Sequence, residues 1–197
     1  MKKRFLPLLM AVCLVITLMP VTALAADEWT ADTSWYSADE TSYTIDSAAE
    51  LAGLAQLVNG GNNFSGKTIT LASNIDLAGQ EWTPIGQFLG GKSTSYFGGT
   101  FDGDGYTISG LTIKQAADAE DAYTYYGYGL FGAAGAGAAF RDLIIAAPAI
   151  QLDQAKNVGA LLGGVGYAGA SAPVVISNIQ VTNAVISANG RVGGIVG

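Results

Sequence analysis

The sequence predicts an all-β chain wound as a solenoid of short strands and opened by one short α-helix. Three observations carry this: glycine and aliphatic residues are abundant while charge is scarce, an apolar pattern recurs three times, and a second, glycine-rich element alternates with it. Of 197 residues 27 are glycine, half are hydrophobic and 13% are charged. So much glycine beside only 5 prolines argues against a collagen-like or linker-like chain. It points instead to many short strands joined by tight turns.

The elements follow in chain order. Lys2, Lys3 and Arg4 precede an apolar run from Phe5 to Met19, then Pro20 and Ala23-Leu24-Ala25. This is the layout of a secretory signal peptide over residues 1–25, and the run is shorter than the roughly 20 residues of a membrane-spanning helix. Cys13 leaves with it, so the mature chain has neither cysteine nor histidine. That excludes disulfides, imidazole metal ligands and every nucleophile–histidine pair of acyl transfer. Losing three basic residues leaves 6 Lys and Arg against 16 Asp and Glu, a net charge of −10. Nucleic acid and anionic lipid both require basic clusters, so neither is an expected partner, and no membrane span is expected in the mature chain.

Residues 26–43 read as an extended acidic lead-in carrying Trp29 and Trp35. Residues 44–66 form the second segment. Here Ser47 and Glu50 have capping-box spacing, Leu51, Leu54, Leu57 and Val58 recur at helical period, and Asn59-Gly60-Gly61 supplies a stop. The spacing predicts a helix over about 47–58. From residue 67 to 197 the period is that of strands: Ile69 and Leu71 in KTITL, then Ile75 and Leu77 in NIDL, alternate with polar residues.

Within 67–197 the chain repeats itself. Ile108, Leu111 and Ile113 recur as Phe140, Leu143 and Ile145, 32 residues on, and as Ile176, Ile179 and Val181, 36 further. The second element runs Gly129-Leu130-Phe131-Gly132, then Val158-Gly159-Ala160-Leu161-Leu162-Gly163, then Val192-Gly193-Gly194-Ile195-Val196-Gly197. A repeat of this size is about one turn of a solenoid, in which each copy buries its aliphatics against the next. Glycine suits the corners, and the helix would close the N-terminal end. Because the sequence stops inside a repeat element, the chain is expected to be a fragment of a longer protein.

FGGTFDGDGYTISGLTI, residues 97–113, sets two aspartates among glycines. Counted from Asp102, an EF-hand would need oxygen ligands at positions now held by Tyr106 and Ile113. A dinucleotide fingerprint would need glycine where Ile108 stands, and a helix after it. Tight turns remain, with Asp102-Gly103 and Asp104-Gly105 bonding nearby amides and Gly99 before them. Asp118, Glu120 and Asp121 read as a solvated loop. Tyr123, Tyr125, Tyr126 and Tyr128 are either wall packing, the favoured reading, or the best candidate for a ligand-contact surface. No acid pair recurs at matching positions of adjacent copies, so catalysis within this chain is not expected, and no cofactor or metal is implied.

FGGTFDGDGYTISGLTI, YGLFG, VGALLG and VGGIVG resemble the GLUG-motif repeats of bacterial surface proteins, found in adhesin-like proteins and in some immunoglobulin-A-cleaving metallopeptidases. Residues 43–86 are also similar to the segment that precedes such repeats, so the resemblance covers about 43–197. GAAGAGAAF and the Ala160-Leu161-Leu162 copy depart from the usual pattern and blur the repeat boundaries. The resemblance implies a right-handed parallel β-helix-like module of a secreted or wall-attached bacterial protein, with no catalytic residue. Its partner would be a host or cell-surface protein or glycan. A second expectation stays open: the non-catalytic front of a secreted metallopeptidase or glycan-active enzyme.

Overall fold

The computed structural model describes residues 29–87, 95–114, 127–153, 155, 157–165 and 172–197. The signal-peptide reading over 1–25 lies outside them. Among the described residues the protein is mostly β, with one helix. The strands are β1 (Ser42–Ile45), β2 (Thr68–Leu71), β3 (Ile75–Asp76), β4 (Thr100–Asp102), β5 (Thr107–Ser109), β6 (Thr112–Ile113), β7 (Gly127–Tyr128), β8 (Ala139–Ala146), β9 (Ala149–Leu152), β10 (Asn157–Gly159), β11 (Val175–Thr182), β12 (Val185–Ala188) and β13 (Arg191–Gly193). The helix, α1, spans Ala48–Asn59.

Helix α1 begins where the capping residues place it. Ser47 is extended (φ −134°, ψ 158°) and its hydroxyl accepts the Glu50 N–H at 3.3 Å, while Glu50 Oε2 reaches back to the Asp46 N–H at 2.8 Å. Leu51, Leu54 and Val58 are buried and Leu57 is half-buried. The acidic lead-in lies against this helix: the Asp32 N–H donates to Ala49 O at 2.8 Å. Gly53 makes the approach possible, since a β-carbon there would sit 1.8 Å from Asp32 O.

Every ladder between strands is parallel, and the strands form three sheets, none of them closed. In the largest, β1, β2, β4 and β8 follow in order, and β3 reaches β8 through β5. Strands β4 and β5 lie end to end along β8, facing Ala139–Arg141 and Ile144–Ala146, and β11 runs along the other edge. Two three-stranded sheets, β6-β9-β12 and β7-β10-β13, complete the set.

Parallel in-register pairing places like residues over like. Tyr43, Ile69, Phe101, Phe140 and Ile176 form one column; Ile75, Ile108, Ile145 and Val181 a second; Ile113, Ile150 and Ile186 a third. Bridges add Ile85, Phe131, Leu162 and Val196 as a fourth. Most of these side chains are fully buried, each contributing about 1.5–3 kcal/mol relative to exposure. Phe97, Phe101, Phe131 and Phe140 meet in the interior, with the Phe131 and Phe140 rings 4.7 Å apart and edge to face.

One expected register is corrected. The second and third copies pair as expected, with Phe140 on Ile176, Leu143 on Ile179 and Ile145 on Val181. The first copy does not stack Ile108 on Phe140. Phe101 does, while Ile108 pairs with Ile145 and Ile113 with Ile150. YTISGLTI is therefore two strands in different sheets, β5 and β6, turned at Gly110 (φ 70°). The packing reason is that Phe101 on Phe140 brings two aromatic rings into one interior, an alignment that the apolar-x-x-apolar-x-apolar spacing does not reveal.

Candidate functional site: the aspartate–glycine turn and the glycine ladder

The aspartate–glycine segment absorbs that shift. Asp102 pairs with Arg141 and Thr107 with Ile144, so residues 103–106 lie opposite only Asp142 and Leu143. The Asp104 N–H donates to Asp102 Oδ1 at 3.0 Å, the Tyr106 N–H to Gly103 O at 2.8 Å, and Asp104 and Gly105 are left-handed (φ 48° and 81°). The segment is a tight turn, as the aspartates and glycines suggested. Gly103 is required by contact. A β-carbon there would lie 2.4 Å from Asp142 O and 2.7 Å from Leu143 Cα.

The other Asp102 oxygen is also engaged. Arg141 donates to Asp102 Oδ2 through Nε at 2.9 Å and Nη2 at 2.7 Å, and lies 3.9 Å from Asp142 Oδ2. The Asp102 hydrogen bond, helped by its charge, holds the Arg141 guanidinium above its ordinary pKa. One copy further, Asn178 Nδ2 donates to Asp142 Oδ1 at 2.6 Å. Asp102, Arg141, Asp142 and Asn178 thus make a polar line across three stacked strands. The left-handed backbone recurs with it at Asp104, Asp142 and Asn178 (φ 48°, 53° and 49°), residue types that tolerate this conformation. The line is chemically self-satisfied: each charge is taken up by its neighbour or by the backbone.

The second glycine element makes close backbone contacts from copy to copy. A β-carbon on Gly129 would lie 2.3 Å from Gly159 O, on Gly132 2.3 Å from Gly86 O, on Gly159 2.6 Å from Ile195 O, and on Gly163 2.1 Å from Tyr128 N. Gly99 is held the same way by Phe64 O at 2.6 Å. Gly193 would meet Val196 O of its own turn at 1.7 Å, whereas Gly194 faces open space. Phe131 is fully buried at the centre of the element. One earlier copy escaped sequence reading. Ile85 bridges to Phe131, with its N–H on Leu130 O at 3.0 Å; its only signal is Ile85-Gly86, which echoes Phe131-Gly132.

Of the four tyrosines, Tyr123, Tyr125 and Tyr126 lie outside the described residues, as do Asp118, Glu120 and Asp121. Tyr128 is placed in β7, paired with Val158 and only 6% exposed. It belongs to the core and presents little surface to a ligand, because its in-register partner Val158 lies on the same, fully buried face. No helix among the described residues is long and apolar enough to cross a membrane.

Comparison with known proteins gives one relative to report. The chain is 29% identical over 162 residues to Halomucin of Haloquadratum walsbyi (strain DSM 16790 / HBSQ001), covering 79% of this chain and 2% of that protein. The chain thus spans a small fraction of the protein it matches. No family model matches the chain, and no solved structure matches it.

Proposed function

We propose that the chain is a non-catalytic, right-handed parallel β-solenoid module of a secreted or cell-surface protein, of the GLUG-repeat kind, used for adhesion and ligand presentation or as a stalk. The observation that carries this reading is the in-register stacking of Phe101, Phe140 and Ile176, copy on copy, with a left-handed residue recurring two or three positions after each, at Asp104, Asp142 and Asn178. Such stacking is how a solenoid buries residues that no single copy can bury alone. Right-handed connection is the rule for parallel crossovers. Helix α1, packed with β1 and β2 in the same core, serves as the lid that closes the N-terminal end. The likeness to part of a very long protein named as a mucin, and the leader-like residues 1–25, support an extracellular setting.

The test is protease shaving of intact cells that express the chain, followed by an immunoblot against residues 129–197. A surface protein loses its signal while cells stay intact, and its purified form lacks residues 1–25 by mass spectrometry. Retention in the cytosol with the leader uncut would sink the reading. A zinc-peptidase or glycosidase activity mapped to residues 26–197 would sink the non-catalytic part alone.

A further inference from the structure

A cleft of about 240 Å³ opens between α1 and the segment entering the glycine ladder. Trp29 and Trp82 wall it, their ring centroids 5.8 Å apart and their planes inclined at 55°. Trp82 is 2% exposed and anchored by its Nε1–H on Leu130 O at 3.1 Å. Trp29 is only partly buried, which leaves its indole as the accessible wall. On the helix side Ala52 and Ala55 stand where neighbouring inward positions carry Leu51, Leu54 and Val58, and those two small side chains create the room.

The rim is polar. The Gln56 carboxamide and the Thr83 hydroxyl are exposed, and Glu81 takes the Lys114 N–H on Oε1 at 2.8 Å, which holds a carboxylate at the mouth. The Trp29 Nε1–H is buried without an acceptor. Few buried polar groups are left so; being itself buried, this one is not a contact for a ligand in the cleft, and what the indole offers is its ring. An indole wall with a carboxamide, a hydroxyl and a carboxylate around it matches the two faces of a sugar ring, whose C–H side seeks an aromatic plane and whose hydroxyls seek amides and carboxylates.

We infer that this cleft binds the terminal ring of a neutral or N-acetylated saccharide. The carboxylate at the rim and the formal charge of −7 on the chain oppose acidic sugars. The inference deepens the proposed function, on which it rests, by naming a ligand class and a site for it, away from the tyrosine segment. A single ring in an open cleft buries little area, so the affinity is weak alone and useful through repeated contacts between surfaces.

The experiment titrates the purified secreted chain with glucose, galactose, mannose, N-acetylglucosamine and N-acetylneuraminic acid, read by tryptophan fluorescence and ligand-observed NMR. A neutral or N-acetylated sugar is expected to saturate with a dissociation constant of about 1–10 mM. Trp29→Ala should weaken it more than about tenfold, and Gln56→Ala about threefold to tenfold. Gln56 is exposed, so its variant should keep the parent unfolding midpoint and separates lost binding from lost folding. No saturation by about 100 mM, tighter binding of N-acetylneuraminic acid, or unchanged binding in both variants overturns the inference. A surface-exposed chain that binds no sugar would remove this site and leave the proposed function standing. A cytosolic chain that still binds would do the reverse.

Discussion

Strands β8 and β11 are both eight residues long, share one apolar spacing and pair with each other residue for residue. Strand β8 has β4 and β5 on one edge and β11 on the other, and its Phe140, Leu143 and Ile145 are 0–1% exposed. Strand β11 pairs only with β8 among the described residues, and its Ile176, Ile179 and Val181 are half-buried, while Val175 is 51% exposed. The same pattern therefore makes a core strand or a boundary strand according to its neighbours. Burial here is a property of the stack, as expected where each repeat contacts only the next.

The strongest way to break this comparison is to truncate equivalent positions. Phe140→Ala should cost about 3–5 kcal/mol and Ile176→Ala about 1–2 kcal/mol. Urea denaturation monitored by circular dichroism gives both values, and equal costs would mean that β11 is as enclosed as β8.

Backbone contact between copies should follow in size. Gly103→Ala drives a methyl into Asp142 O and Leu143 and should destabilise by about 2–4 kcal/mol. Gly194→Ala, which meets nothing within 4 Å, should change stability by less than about 0.5 kcal/mol. A large cost at Gly194 would show that the last copy is more tightly packed than its burial implies.

A smaller effect separates turn from ion pair. Asp102→Asn keeps an acceptor for the Asp104 N–H but loses the charge facing Arg141, whose side chain is 46% exposed. Its cost should be about 0.2–1 kcal/mol, shrinking as salt is raised. Asp102→Ala loses both contacts and should cost about 1 kcal/mol more. Identical thermal midpoints for the two variants would assign the whole effect to charge.

The smallest effect should appear only at high pH. Lys67 donates to Ala38 O, Glu40 O and the Tyr43 hydroxyl, and the Tyr43 hydrogen bond raises its pKa against the opposing effect of desolvation. A raised pKa means that the stabilisation is whole below the unfolded lysine value and fades as pH rises through the folded one. The thermal midpoint of the parent should therefore fall toward that of Lys67→Met in the alkaline range. A constant gap between them across that range would remove the ammonium as the cause.

Much of this architecture was legible locally. Ser47 and Glu50 place α1 to within one residue, because caps and helical periodicity act over one or two turns. The alternation in KTITL and NIDL marks β2 and β3, and the aspartates and glycines of 102–105 mark a turn, because turn chemistry needs only adjacent residues. The candidate site was less legible. Tyr128 looks like its neighbours in sequence, yet pairing with Val158 takes it into the core. The cleft at Trp29 joins residues from three segments, and no local pattern announces such a meeting.

What the sequence determined by itself is that the chain repeats, where its helix begins and where its corners require glycine or aspartate, for each of these is a short-range constraint. Only the tertiary structure decided that Phe101 rather than Ile108 lies over Phe140 and that Ile85 starts the glycine ladder. Register between copies is set by how rings and backbones fit across some 30–40 residues of intervening chain, and several alignments of one apolar pattern look alike until the side chains have to share one interior.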